Sequence, residues 1–450
     1  MSDAHRTPAS LRKCLRAQPP RCTCGRRHAL LTKRVWVGDR LLDEAEALLP
    51  PPSSCGRILV LADPDTWDAA GGRVAARLQA GGHTVSELLT GPQPHADDET
   101  LDDLATKLSF APGWIVAVGS GTISDLGKML TKKVHAKQLT VGTAASMNGY
   151  TSSIAAMTFR GLKLTLPAPP PVAVLLDTAV LSAAPARLNA AGFGDLLSKP
   201  VSGADWVLSA EFFDETVCDA ALSLADEAVT RCRAVAQGIG HGEPNALGVL
   251  TEALLLSGLS MSLAGASSPA SGGEHLLSHY LDISTRGWSR MPHLHGEQVA
   301  VGTLVSLAIY RALREDGPAI VPAIEDTKEE AIRALHAHLD APALKELAEQ
   351  WAMKRERKPG STTRREQVLR RGTTFWRRID DQLRGSEETS RQLRLAGCPR
   401  SFPEIDVNVD KARKLILHAR HMRDRYTVLD LAADLGRLDE LADKLAKIFS

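Results

Sequence analysis

The chain changes texture near residue 186, and that change limits what it can fold into. Between residues 35 and 185, short apolar runs alternate with helical stretches. Ile58–Ala62, Ile115–Val118, Leu139–Val141 and Val172–Leu176 are short, apolar and bounded by Gly, Pro or Asp. Runs of this length read as buried strands. Between them, Trp67–Ala80 and Ile123–Lys133 carry helical patterns. Strand and helix in alternation imply a parallel sheet covered on both faces. Beyond Ala186 the strand-like runs stop. Long helical patterns follow at Ala204–Gly238, Pro244–Ala266, Gly296–Arg314, Thr327–Lys354 and Val409–Leu431. The expected fold is therefore an α/β N-terminal domain at 35–185 and an all-α C-terminal domain at 186–450. The boundary is expected near Asp177–Leu188, and residues 1–34 read as an irregular leader or strand entry.

Composition narrows the function classes. The 450 residues carry 54 Lys and Arg against 53 Asp and Glu, a formal charge of +1. That balance gives no broad electrostatic case for nucleic acid or acidic membranes. Hydrophobic content of 44% and charged content of 24% argue against disorder, collagen and coiled coil. No apolar run is expected to cross a bilayer, and the N-terminus lacks the apolar core of a secretory signal, so the default address is cytoplasmic. The seven cysteines are scattered through a long chain, unlike a disulfide scaffold. Residues 354–394 hold 13 basic against 6 acidic side chains and read as a solvated, partly helical insertion.

Four features carry candidate chemistry. Ala117–Lys128, AVGSGTISDLGK, follows an expected strand and opens an expected helix. Small residues there let a phosphate approach free N–H groups, although a plain tight turn reads the same way. Asp63 ends an apolar strand, where an acid receives ribose hydroxyls or simply caps a helix, as Asp65 also can. His275, His279, His293 and His295 fall close together, and His275 and His279 share a helix face at i, i+4. With Asp195 as a carboxylate, they suit either a metal site or ordinary satisfied histidines. Cys22 and Cys24, with Cys14 before them and His28 after, offer donors for zinc. Their spacing is not that of a standard finger, and structural thiols are the favoured reading.

Taken in order, GSGTISD, TAASMNGYTS, GFGDLLSK, SGGEHLLSHYLD and HLHGEQVAVGT resemble the sn-glycerol-1-phosphate dehydrogenases. That family sits within the group of glycerol dehydrogenases, iron-containing alcohol dehydrogenases and dehydroquinate synthases. CTCGRRHALLTKRVWVG, CPRSFPEIDV and RDRYTVLDLAADLG resemble its bacterial branch. The likeness spans about residues 22–440.

The resemblance implies a dehydroquinate synthase-like fold, with a dinucleotide-binding domain and a helical metal- and substrate-binding domain. It implies that Asp195, His275 and His295 ligate a divalent metal, Zn or Ni with Fe also acceptable, and that His279 contacts substrate. It makes Asp195, His275, His279 and His295 the catalytic set. For the cofactor, NAD(H) or NADP(H), it implies Gly121, Thr122, Ile123, Ser124 and Asp125 at the pyrophosphate, then Thr143, Ala144, Ala145 and Ser146, with Ser152 and the ribose acid Asp63. The implied reaction interconverts dihydroxyacetone phosphate and sn-glycerol 1-phosphate, a small-molecule phosphorylated ketone and polyol. The implied assembly is a homodimer or larger.

Three departures stand out. Asn148 replaces the family's usual aspartate at the substrate, which opens the choice of keto-polyol phosphate. Pro200 follows GFGDLLSK and is expected to end or kink a helix near Asp195. Extra residues separate His279 from His295, which makes His293 a rival ligand. A dehydroquinate synthase-like lyase and a degenerate nucleotide-binding homologue are the alternatives from other classes.

Overall fold

The computed structural model describes residues 6–16, 22, 24–159, 162–284, 293–319 and 341–450. The chain forms two compact units. One comprises Met1–Phe159, Leu164–Leu196 and Ala220–Ser267, and the other Arg160–Lys163, Leu197–Asp219 and Ser268–Ser450. This division differs from a single cut near residue 186, because residues 220–267 group with the sheet-bearing unit.

The first unit is built on a six-stranded sheet. Its strands are β1 (Arg34–Gly38), β2 (Ile58–Ala62), β3 (Val85–Leu89), β4 (Trp114–Gly119) and β5 (Lys137–Gly142), together with the last strand Ala173–Asp177. Between β5 and that last strand come β6 (Ile154–Phe159) and β7 (Leu162–Pro167), which form a separate two-stranded ribbon, so Ala173–Asp177 is β8. The order is β1-β8-β5-β4-β2-β3, and every pairing is parallel. All four expected strands are present. The apolar runs in β2, β4 and β8 are continuous because both faces are covered, and in β5 a buried Thr140 stands between Leu139 and Val141. Val60, Val116 and Val118 pack on one side with Val74 and Leu78. Leu59, Leu61, Ile115 and Ala117 pack on the other with Leu101, Leu104, Leu126 and Leu130.

Two expectations for this unit are corrected. The leader is not wholly irregular, since Ala9–Arg16 forms a helix. One segment is also long and apolar enough to span a bilayer, the helix Pro244–Ala264. Its apolar window is 72% buried inside the protein, so its composition is that of a core helix. Glu252 in that helix accepts Arg231 Nη1 at 2.7 Å.

The second unit is helical. Lys199–Phe212, Gly273–Ser284, His295–Asp316, Ala341–Glu356, Ser361–Arg371, Thr373–Leu383 and Val409–His418 are its longer described helices, with Leu438–Ile448 near the end. Two expected long helices are interrupted. Ala204–Gly238 divides into Lys199–Phe212, Asp219–Arg233 and Ala236–Gly240. Val409–Leu431 divides into Val409–His418, a 3-10 turn at Ala419–Met422 and Val428–Asp434. The second break lets Tyr426 turn inward, where its ring lies 5.4 Å from both Phe212 and Phe213 and its hydroxyl donates to Asp434 at 2.5 Å. Of the expected helix Thr327–Lys354, residues 327–340 lie outside the described residues. Pro200 falls in the first turn of Lys199–Phe212, just after the helix Ala186–Leu197 ends, where its missing N–H is harmless.

The basic stretch 354–394 is partly helical, and several of its arginines are structural. Arg364 forms a two-point pair with Asp434 at 2.6 and 2.9 Å and lies 5.0 Å from the Tyr426 ring. Arg357 stacks 3.8 Å from the Phe213 ring and pairs with Glu215, and Arg371 pairs with Glu211 at 2.6 Å. Planar guanidinium groups serve both contacts at once.

Candidate functional site

In the sheet-bearing unit, the strand order reverses direction between β2 and β4. The chain runs outward from β2 to β3, then crosses back to β4 and continues outward to β5. Open parallel sheets bind ligands at such a switch point, outside the carboxyl ends of the strands. Asp63 follows β2, Gly121 comes just after β4, and Thr143 follows β5, so these expected cofactor residues share one edge. Gly121–Asp125 forms the first turns of the helix Gly121–Val134; Ser124 N already donates to Ser120 O at 3.0 Å, and the N–H groups of Gly121, Thr122 and Ile123 before it favour an anion.

The carboxylates at this edge already have structural partners. Asp63 caps the short helix that follows it, accepting Thr66 N at 2.8 Å. Asp125 is turned inward: Oδ2 accepts Ala156 N at 3.0 Å and Oδ1 accepts Lys128 Nζ at 3.1 Å. Lys128 carries no signal in the sequence that sets it apart from a surface lysine. It is fully buried, and its ammonium also donates to Gly149 O at 2.6 Å, Ile154 O at 2.8 Å and Ser152 Oγ at 3.2 Å. One cation therefore ties the phosphate-type turn to the 149–154 loop. Ser152, expected as a cofactor contact, belongs to this network.

The loop from Thr143 to Ser146 is held from behind. Ala145 N donates to Asn189 Oδ1 at 2.9 Å, and Tyr150 OH donates to Ala144 O at 2.7 Å. Burial pushes the Tyr150 hydroxyl well above its usual range, so it stays protonated and keeps donating. Asn148 donates its backbone N–H to Asp195 Oδ2 at 3.2 Å and its amide to Ser257 Oγ at 3.2 Å. Asp195 lies in the helix Ala186–Leu197 and is 2% exposed.

In the helical unit, His275, His279 and His295 converge. The His275 and His279 ring centroids are 6.3 Å apart, His275 and His295 5.1 Å, and His279 and His295 5.8 Å. The first two sit one turn apart on Gly273–Ser284, and His295 opens His295–Asp316. The hydrogen bonds fix which nitrogen carries the proton. His275 Nδ1 lies 2.7 Å from Glu274 Oε1, a carboxylate that only accepts, so Nδ1–H is the donor. Ser278 Oγ donates to Gln298 Oε1 at 2.6 Å and so accepts from His295 Nδ1–H at 2.9 Å. Both rings then present an Nε2 lone pair, the arrangement that supports metal-binding imidazoles.

Glu274 and Asp205 form a buried acidic pair beneath these rings. Burial alone would raise the Glu274 carboxyl, but the hydrogen bond from His275, with those from Ser202 Oγ at 2.6 Å and Gly272 N at 2.8 Å, brings it below the usual range. Asp205 goes the other way, pushed up to about 7 by burial and by the charge of Glu274. It accepts Tyr310 OH at 2.5 Å, Gly273 N at 2.6 Å and Val428 N at 2.8 Å. Both acids crowd Gly272, where a Cβ would stand 2.5 Å from Asp205 Oδ2 and 2.8 Å from Glu274 Oε2. Neither acid stands out as functional in the sequence. The usable signal was an acid directly before a candidate histidine ligand.

His279 is buried, and its Nδ1 has no hydrogen-bond partner among the described residues. Burial, then the nearby Arg423, His295, His275 and Lys163, push it well below the usual histidine range. His293 is directed elsewhere. Its Nε2 meets Asp406 Oδ2 at 2.9 Å and its Nδ1 faces Glu297 at 3.5 Å.

Residues 37–185 match the family described as iron-containing alcohol dehydrogenase. The chain is 30% identical over 428 residues to a glycerol-1-phosphate dehydrogenase [NAD(P)+] of Bacillus licheniformis, covering 94% of each chain. It is 33% identical over 282 residues to one of Methanosarcina mazei, covering 62% of this chain and 77% of that one. Among solved structures it is similar to a probable glycerol dehydrogenase from Sinorhizobium meliloti, with a TM-score of 0.61, 18% identity and coverage of 93% and 98%. An iron-containing alcohol dehydrogenase from Thermococcus thioreducens gives a TM-score of 0.60 at 14% identity, with coverage of 93% and 99%. Those two likenesses bear on the fold, which is the expected α/β sheet with a helical C-terminal part. The match along almost the full length of the Bacillus licheniformis protein goes further: the chain belongs to the glycerol-1-phosphate dehydrogenase family.

Proposed function

We infer that the protein is a metal-dependent NAD(P)-linked oxidoreductase that interconverts dihydroxyacetone phosphate and sn-glycerol 1-phosphate. The observation that carries this reading is the pair His275 and His295, each held in its Nδ1–H form by an oxygen partner inside a family of that activity. Asp195, His275 and His295 would hold one divalent cation. Zn²⁺, Ni²⁺ and Fe²⁺ all accept one carboxylate and two imidazoles, and the family resemblance favours the first two. When bound, the cation supplies Lewis acidity to the substrate carbonyl and the reduced nicotinamide supplies the hydride.

The chain's own residues do the rest. Glu274 and Ser278 orient the two imidazoles. His279, neutral in its buried position, can donate to or accept from a substrate oxygen and hold the proton that the carbonyl needs on reduction. The first-turn N–H groups at Gly121, Thr122 and Ile123 would receive the pyrophosphate, with Ser124 and Asp125 shaping that turn and Thr143–Ser146 and Ser152 completing the cofactor side. Asp63 repels a 2′-phosphate, which favours NAD(H) over NADP(H). In this reading residues 35–185 serve the cofactor and the helical part serves metal and substrate, in a cytoplasmic homodimer or larger assembly.

Asn148 supports one second reading. Its amide is a hydrogen-bond donor where the family usually places a carboxylate, so the substrate becomes another keto-polyol phosphate. An NADH-oxidation assay on metal-loaded protein separates the two. Rapid turnover with dihydroxyacetone phosphate, and little with glyceraldehyde 3-phosphate or dihydroxyacetone, supports the first. Turnover only with other keto-polyol phosphates supports the second. No net NADH consumption with any of them contradicts both.

A further inference from the structure

We propose that Cys22, Cys24 and His28 form a second metal site, a structural zinc site independent of the reaction. Their ligand atoms, two Sγ and a ring nitrogen, all lie within 4.8 Å of one another. Cys24 Sγ and His28 Nε2 are 3.2 Å apart. A zinc ion binds thiolate at about 2.3 Å, so two tetrahedral thiolates stand about 3.8 Å apart and the observed spread leaves room for the ion.

The local chain is shaped to bring these donors together. Gly25 N donates to Cys22 O at 2.8 Å, closing a turn across the two cysteines. Gly25 takes φ +75, a conformation that other L-residues rarely adopt, immediately after the second thiol. That turn reverses the chain so that His28 comes back onto Cys24. Both flanks are fixed to the sheet-bearing unit. Arg26 Nη1 donates to Ala264 O at 3.2 Å, and Thr32 Oγ1 donates to Pro171 O at 2.8 Å. Lys33 N donates to Val172 O at 2.8 Å, just before β1 pairs with β8. None of the seven cysteines is in a disulfide.

Two thiolates and an imidazole are borderline-soft donors. They select zinc over the magnesium or calcium that a carboxylate cluster would take. Binding deprotonates the thiols and releases their protons to solvent, with no change in oxidation state. The ion ties Cys22, Cys24 and His28 together ahead of the edge strand β1. Water or a further thiol takes the remaining position.

The test uses the full-length protein, purified under reducing conditions and loaded with Co²⁺ in place of zinc. Thiolate-to-cobalt charge-transfer absorption is expected in the wild type, in proportion to the number of thiolates bound. The band should persist in His275→Ala and His295→Ala and disappear in Cys22→Ser/Cys24→Ser. Zinc content should fall by one equivalent per chain in the double cysteine variant, with NADH-oxidation activity retained. His28→Ala should weaken zinc binding without removing either thiol, a second variant should the double substitution fold poorly. A wild type with no thiolate band, or a folded double variant with undiminished zinc content, overturns the proposal.

Discussion

Glu274 Oε1 accepts the Nδ1–H of His275 at 2.7 Å while fully buried. A carboxylate in that position orients the ring and raises the basicity of the opposite nitrogen. Glu274→Gln preserves the acceptor oxygen and removes the charge. We expect metal affinity to fall roughly 10- to 100-fold with the fold intact, read by chelator competition beside circular dichroism. Unchanged affinity would show that the carboxylate does not support the ligand.

Lys128 tests the cofactor side. Lys128→Met leaves the Asp125 carboxylate and the carbonyls of Gly149 and Ile154 without their cation. Breaking a buried pair in this way costs about 3–5 kcal/mol. Chemical denaturation should show the loss. The affinity for NADH should fall more than the turnover at saturating NADH, because the loosened loops bind cofactor. Stability and KM both at wild-type values would contradict this role.

Asn148→Asp restores the residue usual in the family. The Ser257 hydroxyl can reverse and donate to the new carboxylate, so the contact survives. Activity toward dihydroxyacetone phosphate should stay within about tenfold, a cost below about 1.4 kcal/mol in kcat/KM. A change of preferred substrate instead would identify position 148 as the specificity switch.

Asp205 gives a pH signature. Its folded carboxyl holds a proton up to about 7, while in the unfolded chain it releases it near the ordinary 3.8. Between those values the folded state binds more protons, so this contribution is full below 3.8 and is lost as pH rises through about 7. The stability of the wild type minus that of Asp205→Asn should therefore decline across that window. A difference that rises with pH would reverse the assignment.

Much of this architecture is legible in the sequence where one rule dominates. β2, β4 and β8 are buried on both faces, so their apolar runs are unbroken, while β5 keeps Leu139 and Val141 on either side of a buried Thr140. β3 is an edge strand with mixed exposure, and β6 and β7 lie outside the main sheet, so their patterns are weak. The interrupted helices fail for another reason. Helical periodicity does not record that Tyr426 must reach Phe212 and Phe213. At the site, His275, His279 and His295 are visible by spacing. Glu274, Asp205 and Lys128 are charged residues that look like solvated surface until their burial is known. His293 looks like a ligand by proximity, yet its partners are Asp406 and Glu297.

The most direct measurement follows NADH oxidation by dihydroxyacetone phosphate before metal removal, after it, and during titration with a divalent cation. The account predicts that turnover disappears in the metal-free protein, returns on titration, and cannot be restored in Asp195→Ala, His275→Ala or His295→Ala. The product should be sn-glycerol 1-phosphate. Full turnover without metal, or in folded His275→Ala, would contradict it.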